Sequence, residues 1–323
     1  MIRPRLSRVA SGTRLTTDLV NGIINRTEYA ADLLRQYKLT AGNEMYVEPH
    51  YDGTRVSYFY PVGSGATPQD APIVKPTPSY RIVGNTVIGG VSRAFFYNGS
   101  TFTDIFVPSS TSTAASDING SNIVGYANAP TPTGYLYNGS SFTTFSYPGS
   151  NQTFALGIDG SNIVGYATIA AIVRGFIYNG STFTDISVPG SNSTFPFGID
   201  GSNIVGLTSI GGVSRGFLYD GSTFTTFSYP GSTATQARSI DGSNIVGNAN
   251  IGGVNRGFLY DGSTFTDIFV PGSTLTQVNG INGSDIVGAT VLGGVNKGFI
   301  YNGSTFTTFS VPGSTSTQAF GIG

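Results

Sequence analysis

The chain has no cysteine, no tryptophan, a single histidine and only 10% charged residues over 323 positions. Without cysteine there are no disulfides and no thiolate chemistry, and the compartment stays open. With His50 as the only histidine, no His-based catalytic triad can be spread over the chain and a His-rich metal site is excluded. No window approaches the ~20 apolar residues that a membrane-spanning helix needs. The opening residues MIRPRLSRVASGTRLTTDLV carry too many polar groups for a signal-peptide core. A formal net charge of −1 provides no global field to select nucleic acid or an anionic membrane. P-loop, Rossmann and EF-hand patterns are all missing. No cofactor, metal site or catalytic residue is expected, and neither nucleic acid nor membrane insertion is expected among the partners.

What is present favours short strands and tight turns: 46 Gly, 18 Tyr and 22 Phe, with abundant Ser and Thr. From residue 79 the sequence is periodic. The tripeptide IVG starts at Ile82, Ile123, Ile163, Ile204, Ile245 and Ile286, and a Tyr-Asn/Asp-Gly-Ser turn starts at Tyr97, Tyr137, Tyr178, Tyr219, Tyr260 and Tyr301, so spacings are 40 or 41 throughout. Each unit holds four strand-like runs; in residues 195–231 these are FPFGI, IVGLT, RGFLY and TFTTFSY. Asp-Gly and Asn-Gly steps suit the hairpin turns between them. Phe224 and Phe227 differ in parity, so a bulge or twist is expected in the fourth run. The prolines that end this run (Pro108, Pro148, Pro189, Pro230, Pro271 and Pro312) suit an edge strand.

The first copy of the inner pair has only its second half, SYRIVG at 79–84, and the last only its first half, AFGIG at 319–323. An open solenoid would simply start and stop, with atypical caps. Complementary halves point instead to a clasp in which Phe320 and Ile322 pair beside Ile82 and Val83, sealing a ring and removing open edges. The expected fold class is therefore all-β: a six-bladed β-propeller of four-stranded blades of about 41 residues, closed by the C-terminal strand. It is preceded by a short coiled-coil helix and a small β-hairpin.

The remaining chain reads as an arm. Residues 1–78 hold nine Lys/Arg against seven Asp/Glu, with the basic excess in the first forty. Over 14–39, Leu19, Ile23, Ala30, Leu33 and Tyr37 follow alternating steps of four and three, with Arg26 taking one core position. Such a helix needs a packing partner in water, which another copy of itself would supply. The domain reading is thus 1–44 as N-terminal arm and oligomerising helix, 45–61 as a hairpin around Asp52-Gly53, 62–78 as a Pro/Gly-rich linker, and 79–323 as the propeller.

Two resemblances attach to these motifs. GIDGSNIVG with RAFFY (93–97) and RGFLY (215–219) resembles the HAF-repeat family of bacterial extracellular repeat proteins across 79–323. Arg93, Arg174, Arg215, Arg256 and Lys297 stand where that family often has His. The resemblance implies a repeat architecture and an external setting, and little about activity. The stretch INRTEYAADLLRQYKLTAGNEMYVEPHYDGTRVSY is similar to the N-terminal attachment region of tailed-bacteriophage virion proteins. That implies a homotrimeric virion structural protein, a fibre- or spike-like appendage made in the host cytoplasm without a signal peptide, joined to other virion proteins through this segment and displaying the propeller for host-surface glycan adhesion or particle decoration. An extracellular HAF-type adhesion or matrix protein, and a glycan-depolymerising tailspike, are the competing readings.

Few residues invite chemistry. Asp159, Asp200 and Asp241 in DGSN turns and Asp220 and Asp261 in YDGS turns interchange with Asn elsewhere, which fits turn formation better than catalysis. Arg at a fixed point of the blades suits a stem packed on Phe or Tyr with a wet head. Tyr126, Tyr147, Tyr166 and Tyr229 are not present in every unit, and Arg238 stands in place of the usual Phe, so these positions form a candidate surface for a host polysaccharide. The segments 128–133 (NAPTPT) and 169–173 (IAAIV) break the repeat as well, and neutral drift between copies accounts for the same breaks.

Overall fold

The computed structural model describes residues 80–323. The helix with Leu19, Ile23, Ala30, Leu33 and Tyr37, the hairpin at 45–61 and the linker at 62–78 lie outside the described residues.

The described residues form twenty-four strands. The first unit supplies β1 (Ile82–Ile88), β2 (Val91–Tyr97) and β3 (Phe102–Ile105). The second is β4 (Ser112–Asn119), β5 (Asn122–Asn128), β6 (Pro132–Tyr137) and β7 (Phe142–Phe145). The third is β8 (Gln152–Asp159), β9 (Asn162–Ile169), β10 (Ile172–Tyr178) and β11 (Phe183–Ile186). The fourth is β12 (Ser193–Asp200), β13 (Asn203–Ile210), β14 (Val213–Tyr219) and β15 (Phe224–Phe227). The fifth is β16 (Ala234–Asp241), β17 (Asn244–Ile251), β18 (Val254–Tyr260) and β19 (Phe265–Ile268). The sixth is β20 (Leu275–Asn282), β21 (Asp285–Leu292), β22 (Val295–Tyr301) and β23 (Phe306–Phe309), after which β24 (Ser316–Ile322) ends the chain.

Within each unit consecutive strands pair antiparallel. The last strand returns to the first: β24 pairs with β1, with Ile82 opposite Ile322, Val83 opposite Gly321 and Gly84 opposite Ala319. Thus β24 holds in the first unit the place that β4, β8, β12, β16 and β20 hold in the others. Strand β4 touches β8, β8 touches β12, and so on through β20 and β24, and β24 also touches β4. Between neighbouring units the sheets face each other across small apolar clusters, such as Val164, Ile186, Val188, Ile199, Ile204 and Phe217. The result is a propeller-like repeat architecture, built entirely from strands among the described residues.

Each recurring motif has a local physical cause. In the first hairpin the two-residue loop has Gly at its first position with φ near +57° (Gly160, Gly201, Gly242), a conformation that favours glycine. In the second hairpin both loop residues have positive φ, as in Gly211 (+59°) and Gly212 (+79°), the pattern of a type I′ turn. In the third, Asp220 or its Asn counterpart accepts hydrogen bonds from the next backbone N–H groups; Oδ1 of Asp220 takes those of Ser222 and Thr223 at 2.8 Å each. The N–H and hydroxyl donors of Thr223 and Ser222 hold the Asp220 carboxyl well below the usual carboxylate range, and the hydroxyl and N–H donors of Thr264 and Ser263 do the same for Asp261. Between units, a buried Thr in each inner strand accepts the backbone N–H of the preceding exit segment. Thr194 binds Val188 at 3.0 Å, Thr235 binds Tyr229 at 2.9 Å and Thr317 binds Val311 at 2.9 Å.

The irregularity expected in the fourth run lies elsewhere. Pairing runs unbroken from Tyr219–Phe224 to Gly216–Phe227. Opposite parity needs no bulge here, because this outer strand has apolar neighbours on both faces. Phe224 stacks on Tyr219 of its own unit at 4.5 Å, and Phe227 on Tyr260 of the next at 5.1 Å. The register shift sits in the inner strand, between Pro196 and Gly198 in β12 and between Ala237 and Ser239 in β16. The prolines fall past the outer strand, in turns such as the one closed by Ser232 N–H donating to Tyr229 at 3.0 Å.

One hairpin breaks its own rule. Where four other units carry Gly-Gly, the third has Ala170 (φ 47°) and Ala171 (φ 69°). Left-handed alanine is strained, whereas glycine is not. Ala170→Gly with Ala171→Gly is expected to stabilise the protein by about 1 kcal/mol, part of the relief being offset by the freer unfolded glycines. Thermal melting tests this, with Tm expected to rise by roughly 2–4 °C.

Candidate functional site

The inner-strand bulge places one extra residue per unit, and its identity varies: Ser116, Leu156, Phe197, Arg238, Asn279 and Phe320. Bulges re-aim a side chain while leaving the ladder on either side intact. Two residues earlier, the same strands carry Ala114, Phe154, Phe195, Gln236, Gln277 and Gln318. The position just before these is invariant and buried, with Thr113, Thr153, Thr194, Thr235, Thr276 and Thr317 all 3% exposed or less. The repeats therefore hold their core constant and diverge along one edge of the inner strands.

That divergence is lopsided. In the second to fourth units Tyr126 meets Phe154 edge-on at 4.8 Å, Phe154 stacks on Tyr166 at 4.7 Å, and Tyr166 meets Phe195 edge-on at 5.0 Å. Phe195 lies parallel to Phe197 at 6.5 Å, and the Arg238 guanidinium lies over the Phe197 ring at 4.6 Å. In the units that follow, the lining turns to amides. Asn248 bridges to Val278, donating from Nδ2 and accepting at Oδ1 at 2.9 Å each, and Asn279 Nδ2 donates to the Ala319 carbonyl at 2.8 Å. Asn85 Oδ1 accepts the Ala115 N–H at 2.8 Å. All the aromatic residues of the string are half-buried. The half-buried rings thus run along the second to fourth units, whereas the amides that follow brace neighbouring units through backbone groups, and Asn248 is buried among them.

The structure separates the five residues singled out in the sequence. Tyr126, Tyr166 and Arg238 belong to this inner string. Tyr147 and Tyr229 do not: each reaches across to the outer strand of the next unit, donating its hydroxyl to Asp185 and to Asp267 (2.6 Å for the latter). The same carboxylates pair with Arg174 at 3.1 Å and Arg256 at 3.4 Å. These hydrogen bonds, together with burial, raise the two phenols above their ordinary range. Arg93 likewise pairs with Asp104 at 2.5 Å and lies over Phe106 at 5.1 Å. Exposed pairs of this kind add little stability, and their charges are neutralised within the unit. A cavity of about 220 Å³ borders one of them, lined by Ile172, Arg174, Asp185, Ser187, Asn192 and Ser193.

Sequence reasoning missed two features. The acidic partner of Arg recurs only in alternate units, as FTDI at 102, 183 and 265 against FTTF at 142, 224 and 306, so this outer-strand position has a period of two blades. The aspartates of the first hairpin do more than shape their own turn. Asp159 accepts the Gly201 N–H at 2.8 Å and Asp200 that of Gly242 at 2.7 Å, bracing one unit on the next.

Asp117 stands where four other units have Gly157, Gly198, Gly280 and Gly321. Its carboxyl accepts the N–H groups of Ile118 at 2.9 Å and of Ile158 in the next unit at 3.0 Å. Burial outweighs these donors and, with the nearby Asp159, pushes its pKa up to about 7. A raised carboxyl favours the protonated folded form. Its contribution is present in full below the unfolded pKa near 3.8 and is lost as pH rises through about 7. Asp117→Asn is therefore expected to gain stability over the parent between pH 4 and pH 8, on the order of 2 kcal/mol once partial solvation is allowed for. Urea midpoints across that pH range check it; a constant difference would contradict it.

No family model and no curated protein matches the chain. Among solved structures it is similar to a structure of a nidogen/laminin complex, at 12% identity over 75% of this chain and 97% of that one, with a TM-score of 0.52. It also resembles a lectin from Aleuria aurantia in complex with alpha-methyl-L-fucoside (16% identity, 73% of this chain, 96% of that chain, TM-score 0.46). A third is the β-propeller domain of the trilobed protease from Pyrococcus furiosus (11% identity, 68% of this chain, 74% of that chain, TM-score 0.48). The likeness is one of fold. Among the described residues, no group of three or more His, Cys, Asp or Glu is placed to hold a metal ion.

Proposed function

We propose that this chain is a non-enzymatic binding propeller: a closed ring of six blades displayed on a bacteriophage virion, where it contacts glycans of the host surface. The observation that carries the reading is the pattern of divergence among the repeats. Core positions such as the buried threonines barely change, whereas the bulge residues run through Ser, Leu, Phe, Arg, Asn and Phe. Such asymmetry, set on a constant core, is what a binding surface built on repeated blades requires. The aromatic string and the Gln side chains of the later inner strands supply stacking and hydrogen-bonding groups. Residues 1–44 would then trimerise through Leu19, Ile23, Ala30, Leu33 and Tyr37 and join the protein to the particle.

Native mass spectrometry and binding to purified host surface polysaccharide test this together. Trimers that bind without releasing reducing sugar are the expected result. A monomer, or release of sugar ends, would overturn the appendage and non-enzymatic parts respectively.

A further inference from the structure

Arg238 is the oddity of the inner string. It is a half-buried guanidinium, and among the described residues its one side-chain hydrogen bond runs from Nη2 to the neutral Oε1 of Gln236 at 2.8 Å. Its Nε–H is buried and finds no acceptor among the described residues. No carboxylate among the described residues pairs with it, although Arg93, Arg174 and Arg256 all have one. A charge withdrawn from water without a counter-ion is costly, and repeats that place Phe197 or Phe320 at the same point show that the fold does not require it. Stacking on Phe197 and the hydrogen bond to Gln236 also fix the plane of the guanidinium, and among the described residues Nη1 and the second Nη2 hydrogen are left as a fork of donors.

We propose that Arg238 is the anion-recognising residue of a carbohydrate subsite, and that the glycan bound there carries a carboxylate, as uronic and sialic acids do. This rests on the glycan-binding reading above and adds the class of sugar. The carboxylate pairs with the free edge of the guanidinium. The apolar face of the sugar packs along Phe195 and Tyr166, and Gln236 with Gln277 meets its hydroxyls. Burial already presses the guanidinium toward losing its proton, and a bound anion relieves that pressure. A phosphate or sulfate ester offers the same charge with a different geometry, so the probes must distinguish them.

The experiment titrates the full chain with a tetrasaccharide of alternating glucuronic acid and N-acetylglucosamine, its carboxyl methyl ester, and a sulfated neutral tetrasaccharide. An α2-linked sialyl-lactose and its methyl ester are run alongside. At least one acid should bind about tenfold or more tightly than its ester, the span of one charge-assisted pair. Arg238→Met should abolish that preference, and Arg238→Lys should restore part of it. Because Arg238→Met can fail to fold, the acid-against-ester comparison on the unaltered protein stands on its own. Equal binding of acid and ester overturns the carboxylate assignment and leaves the glycan-binding reading in place, as does preference for the sulfated sugar. Failure of these probes alongside binding of host polysaccharide also overturns the assignment. Failure with both overturns the two together.

Discussion

A chain ending at Gly313 is expected to lose its cooperative melting transition. The eight C-terminal positions from Ser316 onward carry β24, whose Thr317, Ala319 and Ile322 are buried, and their removal uncovers Ile82 and Val83, both 0% exposed. Those four apolar side chains and the ladder to β1 amount to a loss on the order of 5 kcal/mol after the ordering entropy of the strand is subtracted. That is comparable with the whole stability of an ordinary domain. The loss also reaches beyond one unit, because β24 touches both β20 and β4. A synthetic peptide spanning residues 314–323 should restore the transition when added in excess, since it can add the missing strand to an exposed edge. In an open stack of units the same deletion would only fray one end and lower Tm by a few degrees, as expected for a quasi-one-dimensional array.

The second large effect is expected from the glycine of IVG. In every unit it sits beneath a buried aromatic ring: Gly84 under Phe95, Gly125 under Tyr135, Gly165 under Phe176, Gly206 under Phe217, Gly247 under Phe258 and Gly288 under Phe299. A Cβ on Gly206 would press on the Phe195 carbonyl oxygen and come within 2.6 Å of the Phe217 ring. Neither can retreat, because the carbonyl belongs to the inner strand and Phe217 is 0% exposed. Gly206→Ala should therefore cost about 3 kcal/mol, the upper end for an overfilled core. Gly211→Ala is the control, since its position is open within 4 Å and only its φ of +59° opposes alanine. It should cost about 1 kcal/mol. Urea denaturation of the two variants separates close approach from backbone strain, and equal costs would refute the packing account.

These glycines show what can be read from the chain and what cannot. The turn glycines were legible, because Asn-Gly, Asp-Gly and Gly-Gly steps between apolar runs name a local backbone conformation. The strand glycine was not, since nothing in IVG itself says that a ring from the next strand lies on it. The same distinction governs the candidate site. Tyr126, Tyr166 and Arg238 stood out because they break the repeat, but which of the irregular residues share a surface depends on a bulge invisible in the sequence. Tyr147 and Tyr229 broke the repeat just as visibly, yet they serve a seam between blades, where the alternation of FTDI and FTTF gives each an aspartate to hold. Periodicity at one blade was easy to see, whereas periodicity at two blades was masked by the near-identity of the copies.

The clasp itself can be tested with the chemistry the chain lacks. With no native cysteine, Val87→Cys and Ser316→Cys introduce the only two thiols, at positions that face each other across the β1–β24 pair. Cα atoms opposite one another in an antiparallel pair lie about 4.5–5.5 Å apart, within the reach of a disulfide. Mild oxidation followed by mass spectrometry should find one disulfide within each chain, formed nearly to completion, enclosing the blades between residues 87 and 316. Thiols that stay free, or that join only different chains, would mean that β1 and β24 do not meet.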